Sequence, residues 1–97
     1  MTNRSSETPG REDKVITDFC VEINFGVKKF GNYRSYFEAY AVIKEEFDEL
    51  WEELRKKDKN LDDVYKVALQ VAATSYRLAE EIYLTKVGKL DTNLEKA

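Results

Sequence analysis

The first third of the chain carries apolar residues at helical spacing. Successive apolar positions are separated by steps of four and three, which places them on one face of an α-helix. The pattern predicts a first helix over residues 12–29, which Gly31 ends by adopting a left-handed conformation. Cys20 belongs to this face, so we expect its thiol to be buried in the core. The face comprises Ile16, Cys20, Ile23, Val27 and Phe30.

A capping box marks the start of a second helix over residues 35–57. The Ser35 hydroxyl is expected to accept a free backbone N–H, and Glu38 to reach back to the Ser35 N–H. The apolar residues that follow again recur at helical spacing, so we expect them to face the core. They are Ile43, Phe47, Leu50, Trp51 and Leu54.

A third helix is predicted over residues 60–88, with Asn60 as its N-cap. Its wide apolar stripe has a middle of small residues, which allows another helix to approach closely. A second, semi-apolar strip lies on an adjacent side, and two apolar surfaces exceed what a three-helix monomer needs. The small residues are Ala68, Ala72, Ser75 and Ala79, and the second strip comprises Tyr65, Leu69, Tyr76 and Tyr83.

These patterns predict an all-α fold. We expect a three-helix antiparallel bundle that assembles into four-helix-bundle-type homo-oligomers, either a homodimer or a dimer of dimers. Residues 1–11 are expected to form a flexible leader, residues 12–89 a single helical domain and residues 90–97 a C-terminal tail.

Composition narrows the function classes. The chain has 97 residues and a net charge of −3, which argues against a nucleic-acid-binding surface. It contains no His and a single Cys, so His-dependent catalysis, Cys-rich zinc sites and an intrachain disulfide are excluded. Its apolar runs are far shorter than the ~20 residues that cross a bilayer, and no signal-peptide core is visible. We therefore predict a cytoplasmic protein without a membrane partner.

Acidic residues line one side of the second helix. Glu46, Glu49 and Glu53 share that side at the edge of the apolar stripe, where like charges repel unless a cation lies between them. Oxygen clusters of this kind hold Mg²⁺. The alternative is a solvated acidic surface that is partly paired with neighbouring cations, which are Lys44, Arg55 and Lys56.

The segment EEFDELWEEL, residues 45–54, resembles the first half of the signature of the MazG-like all-α nucleoside triphosphate pyrophosphohydrolases. That signature is E-E-x-x-E on one helix and E-x-x-D on the next. The segments FGNYRSYFEAYAVIKEE and VALQVAATSYRLAEEI are similar to the same group, so the resemblance spans residues 15–84. It implies hydrolysis of nucleoside triphosphates to monophosphate and pyrophosphate with Mg²⁺, or Mn²⁺ as a substitute. It also implies that Glu46 and Glu49 bind the metal and that Glu45 assists catalysis beside them.

The second half of the signature is missing. Val67 and Gln70 stand where the family has its Glu and Asp. Three hypotheses follow: an active pyrophosphohydrolase, a catalytically impaired homologue that serves as a nucleotide- or metal-binding or oligomeric interaction module, and an unrelated helical adaptor with an acidic surface.

Other side chains near the motif have two interpretations each. A displaced site near Glu53 and Asp63 would restore the missing acids, and Glu22 would bring one from another helix or subunit. Trp51 fits the core or a subunit interface better than a base-stacking platform. The aromatic residues near the second helix start either pack or form a nucleobase wall, and the basic residues before them either bind phosphates or are solvated. These two sets are Tyr33, Tyr36, Phe37 and Tyr40, and Lys28, Lys29 and Arg34.

Overall fold

A computed structural model describes residues 12–91 and Leu94. Helix α1 spans Asp13–Phe30, α2 spans Tyr36–Leu54 and α3 spans Leu61–Lys86. No strand occurs in this part of the chain. The all-α prediction is therefore confirmed, and each helix begins and ends within about three residues of its predicted bounds.

The end of α1 follows from one glycine. Gly31 has φ 71°, a region that residues with a Cβ rarely adopt, and its N–H donates to the Val27 carbonyl at 2.9 Å. At the start of α3, Asn60 Oδ1 accepts the Asp63 N–H at 3.1 Å, as an N-cap should.

The start of α2 differs from the predicted capping box in its second half. Ser35 Oγ accepts the Glu38 N–H at 3.0 Å as expected. Glu38 Oε1, however, accepts from the Arg34 N–H at 2.6 Å, because its carboxylate also pairs with the Arg34 guanidinium at 3.3 Å. The Glu38 carboxylate therefore satisfies the backbone N–H of Arg34 and not, as the capping box had predicted, that of Ser35.

Helix α3 is the centre of the fold. Both α1 and α2 pack along it, while α1 and α2 touch each other only marginally. Helix α1 crosses α3, since Phe19, Gly26 and Gly31 all contact the adjacent pair Tyr76 and Arg77. Helix α3 lies between the other two, and we describe the three helices as one layer in the order α1, α3, α2.

A layer of this kind encloses few side chains. Among the described residues, the buried hydrophobic ones are Tyr33, Ala39, Ala73 and Leu94. Leu94, from the segment predicted as a tail, is 1% exposed and belongs to one cluster with Tyr33 and Ala39. The predicted leader, residues 1–11, lies outside the described residues.

One side of the layer is apolar and exposed, which corrects two predictions. Cys20 was expected in the core and is exposed. The expected core residues Phe47 and Trp51 are each 60% exposed, because α2 presents Ala39 and the half-buried Glu46 to the interior instead. We call this side the outer apolar face, and it comprises Tyr40, Phe47, Trp51 and Leu54 of α2, and Ala68, Ala72, Ser75, Ala79 and Tyr83 of α3.

No helix in the described part of the chain combines the length and the apolar character that a membrane span requires.

Candidate functional site

The acids of the E-E-x-x-E motif lie on the side of α2 opposite the outer apolar face. Glu46 is half-buried, whereas Glu45 and Glu49 are exposed. Glu45 and Glu46 line a cavity of about 220 Å³ between α2, the α1–α2 connection and α3, and Glu49 does not line it. The structure thus brings two of the three predicted site residues to one cavity and leaves the third beside it.

Glu46 has a carboxylate oxygen without a partner. Its Oε1 is buried and forms no hydrogen bond with any described residue. Burial raises the pKa of the Glu46 carboxyl above its ordinary value of 4.5, and the negative charges of Glu49, Glu45 and Glu22 raise it further. We call these four residues the acidic trough. A buried oxygen surrounded by like charges is a position that a cation would relieve.

The basic residues on α2 and directly after it do not supply that cation. Each of them pairs with an acid outside the trough, and no salt bridge to a trough residue occurs among the described residues. The alternative of a paired acidic surface therefore holds for the neighbouring acids but not for the motif itself. The observed pairs are Lys44 with Asp48 at 2.8 Å, Arg55 with Glu52 at 3.3 Å, and Lys56 with Glu53 at 3.0 Å.

Glu22 is the residue that sequence reasoning could not select. It stands on α1, and its charge acts on Glu46 across the layer. No spacing along the chain reveals this relation, because it depends on how α1 lies against α3. The displaced site near Glu53 and Asp63 is not formed, since the Glu53 carboxylate is occupied by Lys56 and Asp63 is exposed in the first turn of α3.

The donor set fits magnesium only in a minimal form. No three His, Cys, Asp or Glu side chains of the described residues converge as a metal cage, and Val67 and Gln70 add no carboxylate on α3. Mg²⁺ often takes one or two protein carboxylates and completes its shell with water and substrate phosphates. Glu46, with its partnerless buried oxygen and Glu49 close by, is the part of the chain that fits such a binding mode.

The opposite wall of the cavity is built from fully partnered groups. The Arg77 guanidinium, 8% exposed, donates to the Gly31 carbonyl at 2.9 Å and lies 4.8 Å from the centre of the Tyr33 ring. The Tyr33 N–H donates to Glu81 at 3.1 Å, and its hydroxyl donates to the Thr74 carbonyl at 2.9 Å. We call Tyr33, Thr74, Arg77 and Glu81 the Arg77 cluster. It joins the C-terminal end of α1 to α3.

The predicted nucleobase wall is not assembled as a unit. Tyr33 is buried in the Arg77 cluster, while Phe37 and Tyr40 are 79% and 65% exposed away from the cavity. The aromatic ring that does line the cavity with Tyr33 is Phe30, which the sequence assigned to the core. Among the predicted phosphate-binding cations, Arg34 lines the cavity but pairs with Glu38.

Comparisons with known proteins found no matching family model, no matching curated protein and no matching solved structure.

Proposed function

We propose that the acidic trough binds Mg²⁺ together with the phosphates of a nucleoside triphosphate, and that the chain is a MazG-like nucleotide pyrophosphohydrolase. The observation that carries this proposal is the buried, partnerless Oε1 of Glu46 at the edge of an open cavity. Leaving such an oxygen without a partner costs about 1–3 kcal/mol in a folded protein. A bound cation would offset that cost.

Within this proposal each acid has a distinct task. Glu46 and Glu49 hold Mg²⁺, or Mn²⁺ in its place, and Glu45 acts beside them at the mouth of the cavity. A metal held there would polarise the phosphates, so that water could attack at the bridge between the α- and β-phosphates and release nucleoside monophosphate and pyrophosphate. Arg34 and Arg77 line the same cavity and place positive charge near the phosphates.

A second candidate is a catalytically impaired homologue that binds nucleotide or metal without turnover. The presence of Val67 and Gln70 at the second-motif positions favours it. With only Glu46 and Glu49 as ligands, metal affinity depends on phosphates from the ligand, and the developing charge in the transition state meets fewer fixed partners. Such a protein serves as a binding or interaction module.

We also propose that the chain associates with itself as a homodimer or a dimer of dimers. The support is the amount of apolar surface left exposed by the three helices, including Phe47 and Trp51 at 60% each. The cytoplasmic location predicted from the sequence accords with a nucleotide substrate and stays a prediction.

The experiment that separates these functions is a panel of nucleoside and deoxynucleoside triphosphates, assayed for pyrophosphate release with and without Mg²⁺. An enzyme releases pyrophosphate from at least one nucleotide, and Glu46→Gln or Glu49→Gln abolishes the release. Glu52→Gln is the matched control, because Glu52 lies on the same helix outside the trough and pairs with Arg55.

A binding module gives a different result in the same samples. Thermal unfolding shifts upward with nucleotide and Mg²⁺ in the native chain and in Glu52→Gln, but no product forms. Absence of both product and thermal shift across the panel would contradict the proposal and leave the helical adaptor.

A further inference from the structure

The outer apolar face is exposed to solvent in the single chain. We propose that a second copy of this chain docks face to face on it, so that the two three-helix layers enclose a common core while the acidic trough of each copy stays open to solvent. This inference rests on the proposed self-association and adds to it the surface used and the surface left free.

The area on α2 and α3 suits a stable interface. Tyr40 is 65% exposed, and Phe47, Trp51 and Tyr83 are each 60% exposed. With about 200 Å² for each aromatic side chain, these four alone leave roughly 500 Å² uncovered, against ~800 Å² per partner in an interface of standard size. Leu54, 41% exposed, adds to that area.

The face is complementary to itself in shape. Helix α2 presents a ridge of large side chains, among them Phe47 and Trp51. Helix α3 presents Ala68, Ala72 and Ala79, all exposed, as a shallow stripe that a neighbouring helix can approach closely. In a two-fold dimer both copies use the same surface, so that surface must contain two complementary parts. Here the α2 ridge of one copy can pack on the α3 small-residue stripe of the other.

Charge selects this face over the trough as the contact between copies. Between Ala68 and Ala79 on α3 the outer apolar face carries no charge, and on α2 the charge of Lys44, one heptad before Trp51, is paired with Asp48 at 2.8 Å. The opposite side carries the four carboxylates of the acidic trough, without a salt bridge among the described residues. Two such sides would repel each other, whereas two apolar faces whose one cation is already paired gain from leaving water.

A single layer of helices leaves apolar side chains without a second layer to cover them. A stable helical domain buries each apolar stripe against another layer. The single layer seen here buries only four hydrophobic residues among those described. A second copy provides the missing layer with the same sequence and the same face.

The test uses the full chain in analytical ultracentrifugation over a wide concentration range. We expect a reversible dimer at micromolar concentration. Trp51→Glu and Ala72→Glu should each raise the dimer dissociation constant about 100-fold or more, because each places a charge in an apolar contact. Ala72 is exposed in the single chain, so its replacement spares the protomer fold.

Phe25→Glu is the matched control. Phe25 is 56% exposed, similar to Trp51, but lies on α1, outside the outer apolar face. The dimer dissociation constant of the Phe25→Glu protein should stay within about twofold of the native value. A dimer that is insensitive to Trp51→Glu and Ala72→Glu would overturn the assigned face while leaving self-association intact.

Trp51 also reports on the contact directly, since it is the single Trp of the chain. We expect its fluorescence to be shielded from acrylamide at high concentration and to become quenchable on dilution. A monomer with a quenchable Trp51 contradicts both self-association and the assigned face. A monomer with a shielded Trp51 means that a segment of the same chain, such as residues 1–11, covers the face, and this too overturns the second copy. Pyrophosphate release, measured separately, decides the nucleotide proposal independently.

Discussion

Two groups of charged residues reach the same cavity, one through Arg77 and the other through Glu45 and Glu46, and they differ in one respect. In the Arg77 cluster, Arg77 donates to the Gly31 carbonyl and Glu81 accepts from the Tyr33 backbone. In the acidic trough, Glu46 is surrounded by other acids, and its buried Oε1 has no partner among the described residues. The first group binds α1 to α3, whereas the second adds repulsion to the fold.

The Arg77 cluster stabilises the fold through its own hydrogen bonds, whereas the proposed function assigns a ligand to the acidic trough. Buried polar groups in folded proteins are nearly always satisfied, so a satisfied cluster needs no purpose beyond stability. An unsatisfied carboxylate costs stability, and a cost of that kind is commonly found at functional sites. The Arg77 cluster and the acidic trough should therefore respond to mutation in opposite directions.

The largest effect is expected in the Arg77 cluster. Arg77→Met removes the hydrogen bond to the Gly31 carbonyl and the cation that lies over Tyr33, beside the 4% exposed Glu81. We expect the free energy of unfolding to fall by about 3 kcal/mol. Urea unfolding followed by circular dichroism at one fixed protein concentration measures it.

Arg55→Met provides the control for that loss. Arg55 is exposed and pairs with Glu52 at 3.3 Å on the surface of α2, so its removal should cost no more than about 0.5 kcal/mol. An Arg77→Met protein as stable as Arg55→Met would mean that the Arg77 cluster does not hold α1 against α3.

The acidic trough should respond with a gain. Glu46→Gln keeps the shape of the side chain and removes the buried negative charge, so we expect the metal-free protein at pH 7 to become more stable by about 0.5–1 kcal/mol. The paired Glu52→Gln should be neutral or slightly less stable. Mg²⁺ should stabilise the native chain and not Glu46→Gln, and thermal unfolding in the presence and absence of the ion measures both effects.

The same pair of proteins predicts a pH dependence with a definite sign. The pKa of Glu46 is raised in the folded state, so the folded chain holds this proton more tightly than the unfolded chain. Ionised Glu46 therefore opposes folding. This penalty is absent below the ordinary pKa of 4.5, grows as the pH rises through the raised value and is complete above it. The stability difference between native protein and Glu46→Gln should vanish near pH 4, and a difference that is constant with pH would rule out its electrostatic origin.

The smallest effect concerns the contact between Gly26 and Arg77. A Cβ at position 26 would lie 3.0 Å from Arg77 Nη1 and 3.2 Å from its Cδ. Gly26→Ala gains about 1 kcal/mol in helix propensity. It also displaces the Arg77 side chain, whose guanidinium is held by the Gly31 carbonyl. We therefore expect the free energy of unfolding to fall by about 0.5 kcal/mol. Asn24→Ala, at an exposed position of the same helix, should instead gain a few tenths of a kcal/mol. A gain in both variants would show that Arg77 moves aside without cost.

The sequence predicted the helices well because their signals are local. Gly31 ends α1 through its own backbone, and Ser35 and Asn60 cap α2 and α3 through residues three positions later. These features need no knowledge of the neighbouring helix.

The sequence misled where two apolar surfaces compete on one helix. The stripe with Phe47 and Trp51 reads as core, yet α2 meets α3 through Ala39 and its neighbours. Cys20 was misplaced for the same reason. Periodicity shows which residues share a face, but it does not show whether that face meets the same chain or something outside it.

The amino-acid sequence by itself determined three helices, their caps and a row of acids on one side of the second, because each of these depends on residues within a few turns of one another. Only the tertiary structure decided that α1 and α2 lie on either side of α3, that Glu22 acts on Glu46, and that Arg77 packs closely against Gly26. Those relations join residues more than twenty positions apart, and they are set by the way helices pack rather than by any pattern within a helix.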